Sequence, residues 1–272
     1  MAMGGVAVAT DGSAALFDDV AGLASVGGAA TLAVQRHLGG TRAATVVVGY
    51  GVGRWTAGLG VHLLDYGEID EIVPDPASGG EVGAPTGARL AAADFALAAG
   101  IARRIGGARV GFAASIVRQQ VAEAHGSTVA VDAGVRVPVV AGAMLSAGVQ
   151  HLGGRLELSG REAELPSLWR VGVALPSVRI SAVDVRVVAE VSDARQSNVV
   201  TAAGGEVAWR LTSDVSLAGR LGVRSVPDGD EGSPLTIGGA LSGGRVGLSY
   251  AYRGYGALGG VHRVGVRLGI GD

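Results

Sequence analysis

Hydrophobic and polar residues alternate with a period of two along most of this chain. From Thr128 to Val137, Thr128, Ala130, Asp132, Gly134 and Arg136 fall on one side, and Val129, Val131, Ala133, Val135 and Val137 on the other. A helix would mix these sets; an extended strand separates them. Val183 to Ser192 repeats the pattern, with Asp184, Arg186, Glu190 and Ser192 opposing Val183, Val185, Val187, Ala189 and Val191. The segments 215–224, 245–253 and 262–268 have the same two-sidedness. Glycine pairs punctuate the runs at 39–40, 106–107, 153–154, 243–244 and 259–260, and longer polar or proline-bearing connections are expected at 70–87, 157–166 and 227–234. The pattern predicts about fourteen strands, near 30–38, 42–50, 54–66, 87–104, 109–123, 127–138, 144–152, 168–175, 182–192, 197–211, 214–225, 235–242, 245–253 and 260–270. The alanine-rich 88–104 has helical propensity. It reads as a strand because Phe95, Leu97, Ala99 and Ile101 share one parity and Asp94 takes the other.

Such a strand set could form a soluble sandwich or a closed barrel. Of the 272 residues, 48% are hydrophobic but only 4% aromatic and 17% charged. A large soluble core would draw on more bulky aromatics. In a membrane barrel the valine-rich face meets lipid and the charged face lines a lumen, with every backbone group satisfied by closure. The pattern therefore favours an all-β, closed antiparallel transmembrane barrel. Trp55, Trp169 and Trp209 supply only a thin aromatic girdle. The longest run free of Asp, Glu and Arg, Val137 to Gly154, holds Pro138 and several glycines and makes a poor spanning helix. The N-terminus lacks the basic and long apolar regions of a secretory signal.

Composition removes several functions. There is no cysteine, hence no disulfide, thiolate nucleophile or thiolate metal site. All 22 basic residues are Arg; with 24 acidic residues the net charge is −2, which does not suit a nucleic-acid binder. Gly49, Gly51 and Gly53 follow the strand Thr45–Val48, but residues 55–64 alternate as another strand, so this is a hairpin and not a phosphate loop. His37, His62, His125, His151 and His262 are scattered without metal-ligand spacing. Ser115, Ser146 and Ser249 lack a nucleophile-elbow context. Neither catalysis, a cofactor nor a metal site is expected.

The charges of the inward parity are the candidate site. They are Asp94, Asp132, Arg136 and Arg170, then Asp184, Arg186, Glu190, Glu206 and Arg210, and finally Arg220, Arg224, Arg245, Arg253, Arg263 and Arg267. Arginine dominates and concentrates in the last third. Two readings stand together: a paired ladder inside a narrow barrel, with Asp132 expected to face Arg136, or an electropositive wall that draws a carboxylate-headed ligand.

Both ends and the middle carry a resemblance. Met3-Gly4-Gly5-Val6-Ala7-Val8-Ala9, then Ala14–Phe17 and Ala21-Gly22-Leu23-Ala24, resembles the opening of PorV/PorQ-type outer-membrane proteins, relatives of the FadL long-chain fatty-acid transporters. Asp19-Val20 stands where that family carries Asn-Pro. Residues 131–135, 148–153, 164–166, 170–172 and 258–265 are similar to later parts of the family. The resemblance implies a fourteen-stranded outer-membrane barrel over 29–272. It also implies an N-terminal hatch over 1–28, with Met3, Gly4, Gly5, Ala21, Gly22 and Leu23 as candidate hatch residues. Met1 would lie near the mature start, the leader being absent from this sequence. The outer-membrane bilayer is the implied surrounding. The implied roles are a passive conduit for small hydrophobic molecules or an accessory of type IX secretion that receives secreted cargo. The rivals are a plugged barrel that docks a partner through its loops, and a soluble all-β binding protein.

Overall fold

In the computed structural model, residues 2–25, 27–195, 198–227 and 229–270 are described. Met1, Val26, Gln196, Ser197, Asp228, Gly271 and Asp272 lie outside the described residues. The expected hatch, the strand start at 197, the 227–234 loop and the barrel's C-terminal limit therefore each include residues not described.

The described strands are β1 (Gly28–Arg36), β2 (Arg42–Val52), β3 (Trp55–Pro74), β4 (Gly83–Ile105), β5 (Ala108–Val121), β6 (Ala124–Pro138), β7 (Met144–Gly153), β8 (Arg155–Leu158), β9 (Arg161–Glu164), β10 (Leu168–Ala174), β11 (Val178–Ile180), β12 (Val183–Ala194), β13 (Val200–Arg210), β14 (Val215–Arg224), β15 (Leu235–Gly243), β16 (Val246–Gly254) and β17 (Gly260–Gly269). β1 to β7 pair in sequence, β7 pairs with β10, β10 with β12, and β12 to β17 continue until β17 returns to β1. Every pairing is antiparallel; Leu32 faces Val266 at the closing seam, and Val171 lies between Ala147 and Val191. Fourteen strands thus close one ring, which excludes a two-layer sandwich and leaves the ring no free edge.

The remaining strands are additions: β8 and β9 form a separate hairpin, and β11 adds to the start of β12. An even count of antiparallel strands puts the start of β1 and the end of β17 at one rim, while the N-terminal segment crosses the interior so that Gly4 lies toward the other rim, beside Thr236 and the Val223 carbonyl. Tight turns lie at the first of these rims, among them Gly106 and Gly244, whose φ of 60° and 54° suit glycine. The far rim is taller. Its expected 70–87 connection is mostly strand: β3 and β4 run on as a two-stranded ribbon as far as Pro74 opposite Gly83, past bulges at Asp65/Glu68 and Asp70/Ile72. Proline, glycine and charge disguised the ribbon as a loop. The 157–166 connection likewise contains the β8–β9 hairpin.

The alternation sorts side chains by face. Leu32, Val34, Val46, Val48, Leu217, Leu221 and Val264 point outward and are 45–57% exposed. Trp55 and Trp209 lie outside near the rim where β1 begins, and Trp169 near the far rim. Among the described residues no helix is long and apolar enough to cross a membrane. The core is inside the ring. Residues 2–25 run there as three 3-10 turns, Ala7–Ala9, Ser13–Leu16 and Val20–Ser25. Leu16, Val20, Leu23 and Ala24 pack on Val47, Ala98, Ala102 and Ala113, while Val6 and Val8 pack on Ala174 and Val188. Burying Leu16 and Leu23 fully contributes about 1.5–3 kcal/mol each.

Candidate functional site

At many of the points where the N-terminal segment lies against the lumen wall, the wall residue is glycine. Gly100 and Gly111 admit Leu16 and the Val20 backbone; a Cβ at Gly111 would lie 2.6 Å from the Val20 carbonyl carbon. Gly134 admits Asp19, and Gly58 and Gly60 receive Leu23 and Phe17. On the other side Gly172 receives Val8, Gly204 and Gly222 receive Met3, and Gly238 receives Ala2. These glycines belong to β3–β6, β10 and β13–β15, so they form a belt around most of the ring. Each exchanges a side chain of the wall for a close approach of the segment, by its backbone at Gly111, Gly204 and Gly222 and by its side chains at the others.

Polar contacts fix the segment over this belt. Arg136, 2% exposed, donates from Nε to Asp19 (2.7 Å), from Nη1 to Asp11 (2.8 Å) and from Nη2 to the Thr10 carbonyl (2.7 Å). Ser146 donates to the same Asp19 oxygen at 2.7 Å. Asp11 also meets Arg109 (3.2 Å) and Arg186 (3.5 Å), so one carboxylate joins β5, β6 and β12. Glu190 accepts from the backbone N–H groups of Ala7 (2.8 Å) and Val8 (3.2 Å), and from Arg170 (2.8 Å). Gln150 donates to the Phe17 carbonyl, Arg104 to the Ala24 carbonyl, and the Gly4 N–H donates to Thr236. These groups give the 3-10 turns the donors and acceptors that short turns leave open.

At the far rim, Arg253 anchors the connection between β14 and β15. It donates to Asp230 (2.8 Å), to the Ser233 carbonyl (2.9 Å) and to the Tyr255 hydroxyl (2.8 Å), and its guanidinium lies 4.8 Å from the Tyr255 ring centre. Burial acts to raise the Asp230 carboxyl, but the hydrogen bonds from Arg253 and the Gly232 N–H outweigh it and hold the group below its ordinary value. Nearby, the Nε of Arg224 is buried without a hydrogen-bond partner. Across the mouth, Tyr66 donates to Asp94 at 2.7 Å, and the other Asp94 oxygen is buried and unpartnered.

The segment leaves part of the lumen unfilled. A cavity of about 430 Å³ lies between it and the wall of β13–β17 and β1. Its lining includes apolar groups such as Met3, Val6, Ala9 and Ala33 and the charged Asp11, Asp18, Arg186, Glu206, Arg220, Arg263 and Arg267. Glu206 and Arg220 are bound to each other at 2.5 Å.

Most of the expected lumen charges therefore do face inward, in three groups. Arg136, Arg170, Arg186 and Glu190 hold the segment, Arg224 and Arg253 lie at the far mouth, and Glu206, Arg220, Arg263 and Arg267 border the cavity. Asp184 and Arg210 meet at 2.7 Å at the opposite rim, and Arg245 sits in the turn between β15 and β16, not in a strand as expected. Asp94 stands apart with Tyr66.

The expected partnership of Asp132 and Arg136 is not formed. Asp132 accepts from the backbone N–H of His151 at 2.7 Å, beside the β6–β7 bulge, and Arg136 turns to Asp19 and Asp11. Of the expected hatch residues, Met3, Gly4, Ala21, Gly22 and Leu23 lie inside the ring, while Gly5 is exposed, toward Arg224. Asp11, Asp19, Ser146, Gln150, Thr236, Arg104 and Arg109 also belong to the site. The inward parity marks Arg104 and Arg109; nothing in the local pattern marks Asp11 or Asp19. Among the described residues no group of three or more His, Asp or Glu is placed to hold a metal.

No protein-family model and no curated protein matches the chain. Solved structures do. The Pseudomonas putida toluene transporter TodX is 12% identical, with a TM-score of 0.61 over 98% of this chain and 95% of that one. The Ralstonia pickettii toluene transporter TbuX is 12% identical, with a TM-score of 0.59 over 94% and 92%. A Pseudomonas aeruginosa FadL homologue is 8% identical, with a TM-score of 0.60 over 97% and 96%. At these identities the likeness is one of fold, and the PorV/PorQ half of the expected resemblance has no counterpart among these three. The chain has the fourteen-stranded closed barrel fold of FadL-type proteins.

Proposed function

We propose that this chain is an outer-membrane barrel that passes small hydrophobic molecules through its lumen, with residues 1–28 as the hatch. One observation carries the reading: the ring presents its large apolar side chains outward, all round, while an N-terminal segment occupies its interior. A continuous apolar belt of that extent suits acyl chains and not water. The fold it shares with two toluene transporters and a FadL homologue supports the choice of cargo. Single-chain barrels of this kind carry short turns on the periplasmic side and longer loops outside. By that rule the rim where β1 begins and β17 ends faces the periplasm, and the β3–β4 ribbon projects outward.

The test is uptake of labelled toluene by cells carrying the protein in their outer membrane. The chain has no cysteine, so Ser13→Cys with Thr31→Cys, at positions whose hydroxyls meet at 2.7 Å between the segment and β1, can lock the segment to the wall. Uptake above that of empty cells is expected, falling to the empty-cell level on oxidation and returning on reduction. Uptake equal to empty cells in both states would remove the conduit.

A docking barrel, including one that receives secreted cargo, is the second reading. The buried Arg136–Asp19 pair, extended to the exposed Asp11, favours it, because a lumen closed by ion pairs serves a scaffold as well as a channel.

A further inference from the structure

The unfilled cavity is asymmetric in charge. Three arginines reach it from β14 and β17: Arg220, Arg263 and Arg267. Glu206 is the only carboxylate that the described residues of this wall offer, and Arg220 takes it. Arg186, on the neighbouring β12, shares Asp11 with Arg109 and Arg136. Arg263 and Arg267 have no ion pair among the described residues. The remaining carboxylate, Asp18, comes from the N-terminal segment and is likewise without an ion pair among the described residues. Arg263 and Arg267 both point inward from β17, about 13 Å apart along the strand. Arg267 lies near the rim where β17 ends and is exposed; Arg263 lies deeper and is half-buried. Small apolar groups also line the cavity, Ala9 and Ala14 from the N-terminal segment and Ala33 from the adjoining β1, where it pairs with Gly265.

We propose that this cavity is a binding site for a small organic anion with an apolar body, an aromatic monocarboxylate in chemical class. The carboxylate is met first by Arg267 and then by Arg263, and the ring lies against the alanines. A guanidinium enclosed by low-dielectric walls gains most from an anion that arrives with little hydration, which a carboxylate on an apolar ring satisfies. A cavity of about 430 Å³ is within the usual size of small-molecule sites. The site rests on the lumen reading above, since the same space would lie on the conduit, but it sets a different preference from uncharged hydrocarbon.

The experiment is calorimetric titration of the whole protein in detergent with benzoate and with benzamide, its uncharged counterpart. Benzoate is expected to bind at least about ten-fold more tightly, and Arg263→Gln to erase most of that advantage. Raising the salt concentration should weaken benzoate alone. Asp18→Asn should tighten benzoate binding, a gain that a purely structural residue would not give, and it keeps the test open if the arginine variant fails to fold. Equal binding of the two probes, no binding of either, or an unchanged benzoate affinity in a folded Arg263→Gln variant overturns the proposal. Benzoate preference lost with toluene uptake intact removes this site alone. Benzoate preference intact with no toluene uptake removes the conduit alone.

Discussion

Arg136 on β6 and Asp19 in the N-terminal segment lie 117 positions apart in the chain and meet at 2.7 Å, both nearly free of solvent. The pair ties the wall to what it encloses. Breaking a buried pair by removing one partner costs about 3–5 kcal/mol, because the other charge stays buried. Asp19→Ala and Arg136→Met should each lower the unfolding free energy obtained from urea titration by an amount of that order. The double variant should be clearly less destabilised than the sum of the two. Additive losses would show that the two residues act independently.

The glycine belt makes a sharper demand. A Cβ on Gly204 would lie 2.7 Å from the Met3 Cα, and one on Gly111 2.6 Å from the Val20 carbonyl carbon; both obstacles are backbone. Gly204→Val and Gly111→Val should displace the segment at a cost of about 1–3 kcal/mol. Protease should then cleave within residues 2–25, which the parent protein is expected to resist. Gly247, whose Cβ would meet only the Arg267 side chain at 3.6 Å, should tolerate the same change.

Acid should release the far-rim connection. Asp230 is held below its ordinary value, so the folded state keeps it charged where the unfolded chain has begun to take up a proton. Its stabilising effect is complete above the unfolded value near 3.9 and is lost as pH falls from there through the folded value. Hydrogen exchange at Gly232 and Ser233, protected at pH 6, should rise below about pH 4. Arg253→Gln should produce the same loss of protection at pH 6, and protection unchanged in that variant would assign the fold of this connection to other contacts.

The two faces should respond oppositely to charge. Val264 is 52% exposed on the outer side of β17. Val264→Arg should cost about 2–4 kcal/mol of stability in a bilayer if it lies near the midplane. Ser249→Arg, on the inward parity of the neighbouring β16, should insert normally. Folding yield into lipid vesicles, read by heat-modifiable migration, distinguishes the two.

Much of this architecture is legible one residue at a time. Strands such as 127–138, 144–152 and 214–225 sit where alternation puts them, because one face must differ from the other at every step of a two-sided wall. Alternation also sends Asp132, Arg136, Glu190 and Arg253 inward. It does not say which inward groups meet. Asp132 and Arg136 share a strand and a parity, yet Arg136 prefers two carboxylates from the far end of the chain, and a backbone N–H claims Asp132. The β3–β4 ribbon escapes the same reading, because beyond the barrel neither face need be apolar and the alternation fades. The site residues Asp11 and Asp19 lie in turns, where no period exists.

The belt also bears on the order of assembly. Each of its glycines is a gap in the wall until the segment fills it, so a ring that closed empty would hold a string of small voids and several undischarged ions. The segment leads directly into β1, and β1 makes the final seam with β17. Seating the first twenty-five residues and zipping the last seam are thereby coupled, and a chain trimmed at its start should stall with that seam unsealed.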